Sequence, residues 1–395
     1  MNQRIYLDHN ATTPVDPRVL EAMLPYFSTH FGNAASATHG LGCDAAGASE
    51  VARLQVAGLI NAESKDIIFT SGATESANLA ITGAARHRRE HGRHLVTVAT
   101  EHRACLEACE QLAAEGWELT VVGVDRHGQV AIKDIETSLR ADTVLISCMF
   151  ANNEIGTLHD IAGIGRLAKE RQILLHVDGA QALGKEPIDV LAQGIDLLSL
   201  SAHKLYGPKG VGALYVRRRD PRVRLVPLMH GGGHERGLRP GTLNVPGIVG
   251  FGQACAIARE EMATEQSRLG GLKERLWRAL QRIPGVIRLG HPEQCLAGTL
   301  NVVFTGINAQ RLLVETPMVA ASLGAACTSV TPKPSHVLRA IGLAWRQAEG
   351  AVRLSLGRWT TADEVDQAAA ALTAGVERQR GLHPAAGSEN APRPT

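Results

Sequence analysis

The chain has 395 residues, 44% of them hydrophobic and 20% charged, with a formal net charge of +2. That is long enough for a large core and for two domains. The near-neutral balance excludes wholesale electrostatic binding of nucleic acid, and no apolar run reaches membrane-spanning length. Seven cysteines occur without a Cys-x-x-Cys pair. Unpaired thiols, with no signal peptide visible ahead of the first folded-looking residues, lead to the expectation of a cytoplasmic protein.

Ile5-Tyr6-Leu7 predicts a short strand, followed by the polar turn Asp8-His9-Asn10 up to Pro14. Asp16 ahead of Pro17 reads as a helix cap. Asn33-Ala34-Ala35-Ser36 belongs to a small-residue loop, and 40–60 is an amphipathic helix. The strand at 67–70 runs through Ser71-Gly72 into a helix start at Ala73-Thr74. Free backbone N–H groups and the helix dipole make that turn an anion site, and a phosphate is expected there with the Ala73 amide and Thr74 as donors.

Strand-like and helix-like runs then alternate. Strands are expected at 94–99, 119–124, 143–150, 173–178, 195–200 and 211–216, with a helix at 161–169. Over roughly the first 250 residues this pattern predicts an α/β fold with a mostly parallel sheet and helices on both faces. Ligands of such sheets lie beyond the carboxyl ends of the strands. His102, Asn153, Asp178 and Lys204 are all placed at or just past strand ends. One buried strand ends in Asp178 and another in Ser201-Ala202-His203-Lys204. A lysine there suits a Schiff base with pyridoxal 5'-phosphate (PLP), and the aspartate would keep the pyridine nitrogen protonated. An ordinary surface lysine past a strand end is the plain alternative; the convergence of four polar residues on one rim favours the cofactor. Lys209, after Gly207-Pro208, is a rival by composition.

The basic run 217–224 reads as a solvated turn. Met229 to Gly237 is a glycine loop with two histidines. A helix is expected at 249–280, bridging into a smaller α/β unit with strands within 287–304 and 351–356. The expected division is a large domain at 15–255, and a small domain made of 1–14 and 256–380. Residues 381–395 read as a disordered tail. Within the small domain, Cys327 sits in a loop of small residues at about 324–335, where a thiol is accessible enough to act as a nucleophile. Arg353 lies on a strand, from which its fork suits a substrate carboxylate.

The ordered set of Tyr6 to Pro14, Ser71 to Asn78, Thr100-Glu101-His102, Asn152 to Gly156, His176 to Gln181, Ser201 to Gly210, His230 to Thr242, Ala326-Cys327-Thr328-Ser329 and Arg353 to Thr361 resembles the cysteine desulfurases. The resemblance is to the branch of the nitrogen-fixation and iron–sulfur cluster assembly enzymes, in the class V aminotransferase family. It implies the type I PLP-dependent, aminotransferase-like fold, a homodimer, and conversion of L-cysteine to L-alanine with sulfur passed to an enzyme persulfide and then to an acceptor such as an iron–sulfur scaffold or a thiolation enzyme. It makes Lys204 the Schiff-base lysine, Asp178 the pyridine partner and His102 the stacking and proton-transfer group. Asn153 and Gln181 would bond the ring oxygen. Ala73, Thr74, Ser201 and His203 would hold the phosphate, and Thr242 would reach the phosphate of the other subunit. Arg353, with Asn153, would bind substrate, and Cys327 would accept sulfur and transiently contact an iron–sulfur cluster. No resident metal is expected. Asn33-Ala34-Ala35-Ser36 lacks the family's proline, Asp8-His9-Asn10 replaces Asp-Asn-Asn, and Leu323-Gly324-Ala325-Ala326 replaces Ser-Gly-Ser-Ala. The alternative is a selenocysteine lyase or another PLP-dependent enzyme of this fold.

Overall fold

The structure is a computed structural model that describes residues 4–324 and 335–381. Cys327, most of its loop, and the tail beyond Gly381 lie outside the described residues.

Thirteen strands are described. They are β1 (Ile5–Tyr6), β2 (Ile67–Thr70), β3 (His94–Val98), β4 (Glu118–Val122), β5 (Thr143–Met149), β6 (Leu174–Asp178), β7 (Leu197–Ser201), β8 (Gly212–Val216), β9 (Val286–Leu289), β10 (Thr299–Phe304), β11 (Val319–Ala320), β12 (Ser322–Leu323) and β13 (Ala351–Ser355). Seven form one sheet in the order β2-β8-β7-β6-β5-β3-β4. The pairs β4–β3, β3–β5, β5–β6 and β6–β7 are parallel, and β8 runs against both of its neighbours. Every residue of β2, β3, β5, β6, β7 and β8 is buried. That is why these segments read as continuous apolar runs without the alternation of a half-exposed strand. Some polar residues inside them are paired across the sheet, although Thr97 Oγ1 in β3 is buried without a partner. His176, two residues before Asp178, bridges Ser147 Oγ at 2.9 Å and Ser199 Oγ at 2.8 Å.

β9, β10, β12 and β13 form a second, antiparallel sheet, and β1 pairs with β11. The helix Val245–Leu280, 36 residues long, joins the two regions. Its Phe251, Ala254, Cys255 and Ala258 pack into the large-sheet core, whereas Leu269, Leu276 and Leu280 pack with Ile5, Leu7 and β10. The helix starts earlier than the 249 expected: Asn244 caps it by accepting from Gly247 N at 3.2 Å, and Pro246 sits in the first turn, where no intrahelical N–H is needed. Among the described residues, no helix is long and apolar enough to cross a membrane.

After β1 the chain returns to the large sheet. Asn10 N donates to Ser355 Oγ at 2.9 Å, and Thr13 N donates to His203 O at 3.0 Å. Residues 8–13 are therefore stitched between the two sheets.

Candidate active site

Beyond the carboxyl ends of β2, β5, β6 and β7 lies a cavity of about 560 Å³. It gathers Ala73, Thr74, His102, Asn153, Asp178, Gln181, Ser201, His203, Lys204 and Arg353 from across the chain. Lys209 lines it as well, but is exposed and also faces a more open cavity of about 500 Å³ beside Trp359. Thr242 is exposed and does not line the cavity of this single chain.

One end suits an anion. β2 passes through Gly72 into the helix Ala73–Arg88, whose N-cap has no side-chain hydrogen bond. The first-turn N–H groups of such a helix lack intrahelical acceptors. The turn is held close to β8: a Cβ on Gly212 would lie 2.6 Å from Gly72 Cα. Ser201 and His203 approach from the end of β7. His203 Nδ1 lies 3.1 Å from Thr12 Oγ1, and burial with the charges of Lys204 and Lys209 pushes its pKa down to about 4. The ring is therefore neutral at physiological pH, offering a hydrogen bond rather than a charge.

At the other end, Asp178 terminates β6 and is 7% exposed. It accepts from Ala180 N at 2.9 Å, and the Cys105 thiol lies 4.0 Å from its Oδ2. Burial raises its pKa, opposed by the charges of His102 and Lys204. His102 caps the helix Arg103–Ala114: its Nδ1 accepts from Ala104 N at 3.2 Å. In the neutral ring the proton is then on Nε2.

Lys204 ends a 3-10 turn that follows β7 directly. Its Nζ donates to Asn10 O and Ala11 O, both at 2.6 Å. Burial and the nearby Arg353 charge push its pKa down to about 8. An appreciable fraction of the amine is thus free base near neutral pH, as a nucleophilic lysine requires. Asn10 is the hub of this wall. Its carbonyl also accepts from Gln181 Nε2 at 2.9 Å, and its side chain donates to Asn153 O at 3.2 Å and Thr299 Oγ1 at 2.9 Å. Lys185 fixes the Gln181 amide from behind by donating to Oε1 at 3.0 Å.

Arg353 enters from the middle of β13. It donates to Asp8 Oδ1 at 2.7 Å, Ser322 Oγ at 3.0 Å and Asn153 O at 3.0 Å, while its buried Nε has no partner. The guanidinium is thus already oriented, with its Nε–H and one Nη1–H unused.

Asn10, Asp8, Lys185 and Glu101 were not among the residues expected from sequence. Glu154, beside Asn153, was also missed. It is 3% exposed and accepts from Ser335 Oγ, and burial pushes its pKa up to about 7. Asn10 and Asp8 carry one signal, a polar turn directly after the first strand; the others carry none beyond their neighbours.

The donor set fits PLP. A helix start with Ser201 and His203 offers neutral donors to a phosphate, the Asp178 carboxylate lies deep in the cavity, and a lysine with a lowered pKa stands in the same wall. Residues 5–368 match the aminotransferase class-V family. A cysteine desulfurase IscS of Shewanella woodyi is 48% identical over 97% of this chain and 95% of its own length, and one of Escherichia coli matches equally well. Among solved structures, a NifS-like protein superposes with a TM-score of 0.88 at 37% identity, covering 96% of this chain and 100% of that one. SspA in complex with cysteine gives 0.79 at 39% identity over 90% of this chain and 99% of that one. DndA from Streptomyces lividans gives 0.77 at 40% identity, over 87% and 97% respectively. With this fold, this cavity and this degree of identity, the chain belongs to the class V aminotransferase family and is a PLP-dependent cysteine desulfurase.

Proposed function

We propose that Lys204 is the amine that bonds the PLP aldehyde and that Cys327 takes the sulfur of L-cysteine as a persulfide, leaving L-alanine. The observation that carries the lysine assignment is its place: a half-buried amine with a lowered pKa, in one cavity with the anion end at Ala73-Thr74 and with Asp178. When bound, PLP supplies the electron sink for the charge left at the substrate Cα. The Ala73 amide, Thr74, Ser201 and His203 hold its phosphate, and Asp178 keeps the pyridine nitrogen protonated. Asn153 and Gln181 would hold its ring oxygen, and His102 would stack on the ring.

Arg353, steadied by Asp8, holds the substrate carboxylate. The Lys204 amine would take the Cα proton, and His102 Nε2–H would assist its transfer. The Cys327 thiolate attacks the substrate sulfur. The S–S bond forms as the C–S bond breaks, its electrons pass to the carbon skeleton, and protonation there completes alanine. The persulfide is then delivered to a sulfur-acceptor protein, an iron–sulfur scaffold or a thiolation enzyme.

A homodimer is the assembly we favour, with Thr242 reaching the partner's phosphate site. Leu20, Leu24, Phe27, Phe31 and Leu54 are between 47% and 65% exposed, apolar side chains that a second copy would cover. The free thiols of Cys43, Cys105, Cys109, Cys148, Cys255 and Cys295 suit work in a reducing cytoplasm. A large domain at 15–255 and a small one made of 1–14 and 256–380 is the division we favour. It is supported by separate cores on the two sheets, with the boundary inside the joining helix.

The test is a single turnover of PLP-loaded enzyme with L-cysteine and no reductant, quantifying alanine and mapping sulfur by mass spectrometry. One alanine per site with the added sulfur on Cys327 is expected. Added sulfur on Cys43 or Cys295, or alanine formed at the normal rate by Cys327→Ala, would contradict the assignment.

A further inference from the structure

Between β3 and the helix Arg103–Ala114 the chain turns Glu101 inward, where it is 0% exposed. Its Oε2 accepts from the backbone N–H of His102 at 2.7 Å. Its Oε1 is buried with no partner. One ligating atom each of Glu101, Cys105 and Asp178 lies within 4.8 Å of the other two, and all three side chains are buried. Two carboxylates so close, away from water, do not both ionise.

The surroundings decide which one keeps the proton. Asp178 receives the Ala180 N–H and lies near the Lys204 amine and the His102 ring. Glu101 has a single backbone donor. Its titratable neighbours are Asp178 on β6, Cys105 and Cys109 on the following helix, and Cys148 on β5. Among the described residues no ion pair reaches it. Burial, then the Asp178 charge, raises its pKa well above the usual carboxylate range.

We propose that Glu101 is a neutral carboxylic acid that carries the single proton of the buried Glu101–Asp178 pair, leaving Asp178 as the lone anion on the cavity wall. Glu101 is then a positioning residue. In this state its O–H, on the otherwise unpartnered Oε1, turns to Asp178, one of whose oxygens lies within 4.8 Å of a Glu101 oxygen. That bond orients the carboxylate and restrains its basicity, so that the proton shared with the cofactor stays on the pyridine nitrogen. This consequence rests on the reading of Asp178 as the pyridine partner; the protonation state of Glu101 does not.

Infrared difference spectra of the apoprotein test the protonation directly. At neutral pH a buried carboxylic-acid carbonyl band is expected that moves in D₂O, disappears in Glu101→Gln, and persists at a shifted position in Asp178→Asn. Glu154 and Glu186, also raised to about 7, supply a background common to all three proteins. A spectrum unchanged by Glu101→Gln, or a band lost in Asp178→Asn, overturns the proposal, and the second variant decides the matter even where the first does not fold. In the holoenzyme, Glu101→Leu is expected to raise the PLP dissociation constant ~10-fold, with Glu101→Gln restoring it to within ~3-fold. Equal weakening by both overturns the positioning role. If the infrared result holds but Asp178→Asn leaves PLP affinity and colour unchanged, the pyridine-partner reading fails while the Glu101 assignment stands.

Discussion

On the large-sheet wall of the cavity, Asp178 and Lys204 stand at the end of β6 and in the turn directly after β7. On the small-sheet wall, Arg353 projects from the middle of β13 and is held by Asp8, 345 residues away in sequence. The first arrangement needs only that a buried strand stop and expose its next side chain. The second needs a counterion brought from the far end of the chain, because an arginine that is 7% exposed is costly without one. Arg358, five residues on, sharpens the contrast. It pairs with Asp16 at 2.7 Å and Glu265 at 3.1 Å, lies 4.3 Å over the Tyr206 ring, and does not line the main cavity. One arginine of this strand region leaves its Nε unpaired, and the other commits its Nε and Nη1 to carboxylates outside the cavity.

The contrast can be broken at several points. Lys204→Ala removes the amine proposed as nucleophile and proton carrier, and steady-state alanine formation is expected to fall by ~100- to 10,000-fold or more. Normal multiple turnover by that variant would refute the assignment. Arg353→Lys keeps the charge on the other wall but loses the fork. A decrease of ~10- to 100-fold in kcat/KM, carried mainly by KM, follows from the ~1.5–3 kcal/mol of a charge-assisted hydrogen bond. An unchanged KM would move the substrate carboxylate elsewhere. Asp8→Asn removes the anion that competes with substrate for Arg353, so KM should fall ~2- to 5-fold. A rise in KM instead would make Asp8 chiefly a positioning group.

The pH dependence of cofactor capture gives the smallest effect. If Lys204 bonds the aldehyde as proposed, only its free base can do so, and the rate of PLP uptake by apoprotein should rise with pH through about 8 and then level off. Followed by absorbance, an inflection near the ~10.4 of an ordinary lysine would contradict the lowered pKa.

The large-sheet wall was legible in the sequence because its signals are local. Continuous apolar runs mark buried strands, and a lysine or aspartate at the end of such a run is conspicuous. The helix start after Gly72 announces an anion site in the same way. What was not legible depends on contacts distant in sequence. Asn10 works mainly through its carbonyl oxygen, which no side-chain motif reveals. No sequence signal marks Lys185, yet burial and the Lys204 charge push its pKa down to about 7 while it fixes Gln181. Glu101 stands in the sequence only as the residue before His102. Only the fold shows that it points inward to Asp178, while its neighbour His102 faces the cavity.

The most direct test of the central claim is to reduce the PLP-loaded enzyme with borohydride and locate the cofactor by peptide mass spectrometry. The account predicts the phosphopyridoxyl mass on Lys204 alone. Its appearance on Lys209 at the cavity mouth, or on Lys185 behind Gln181, would contradict the site as built here.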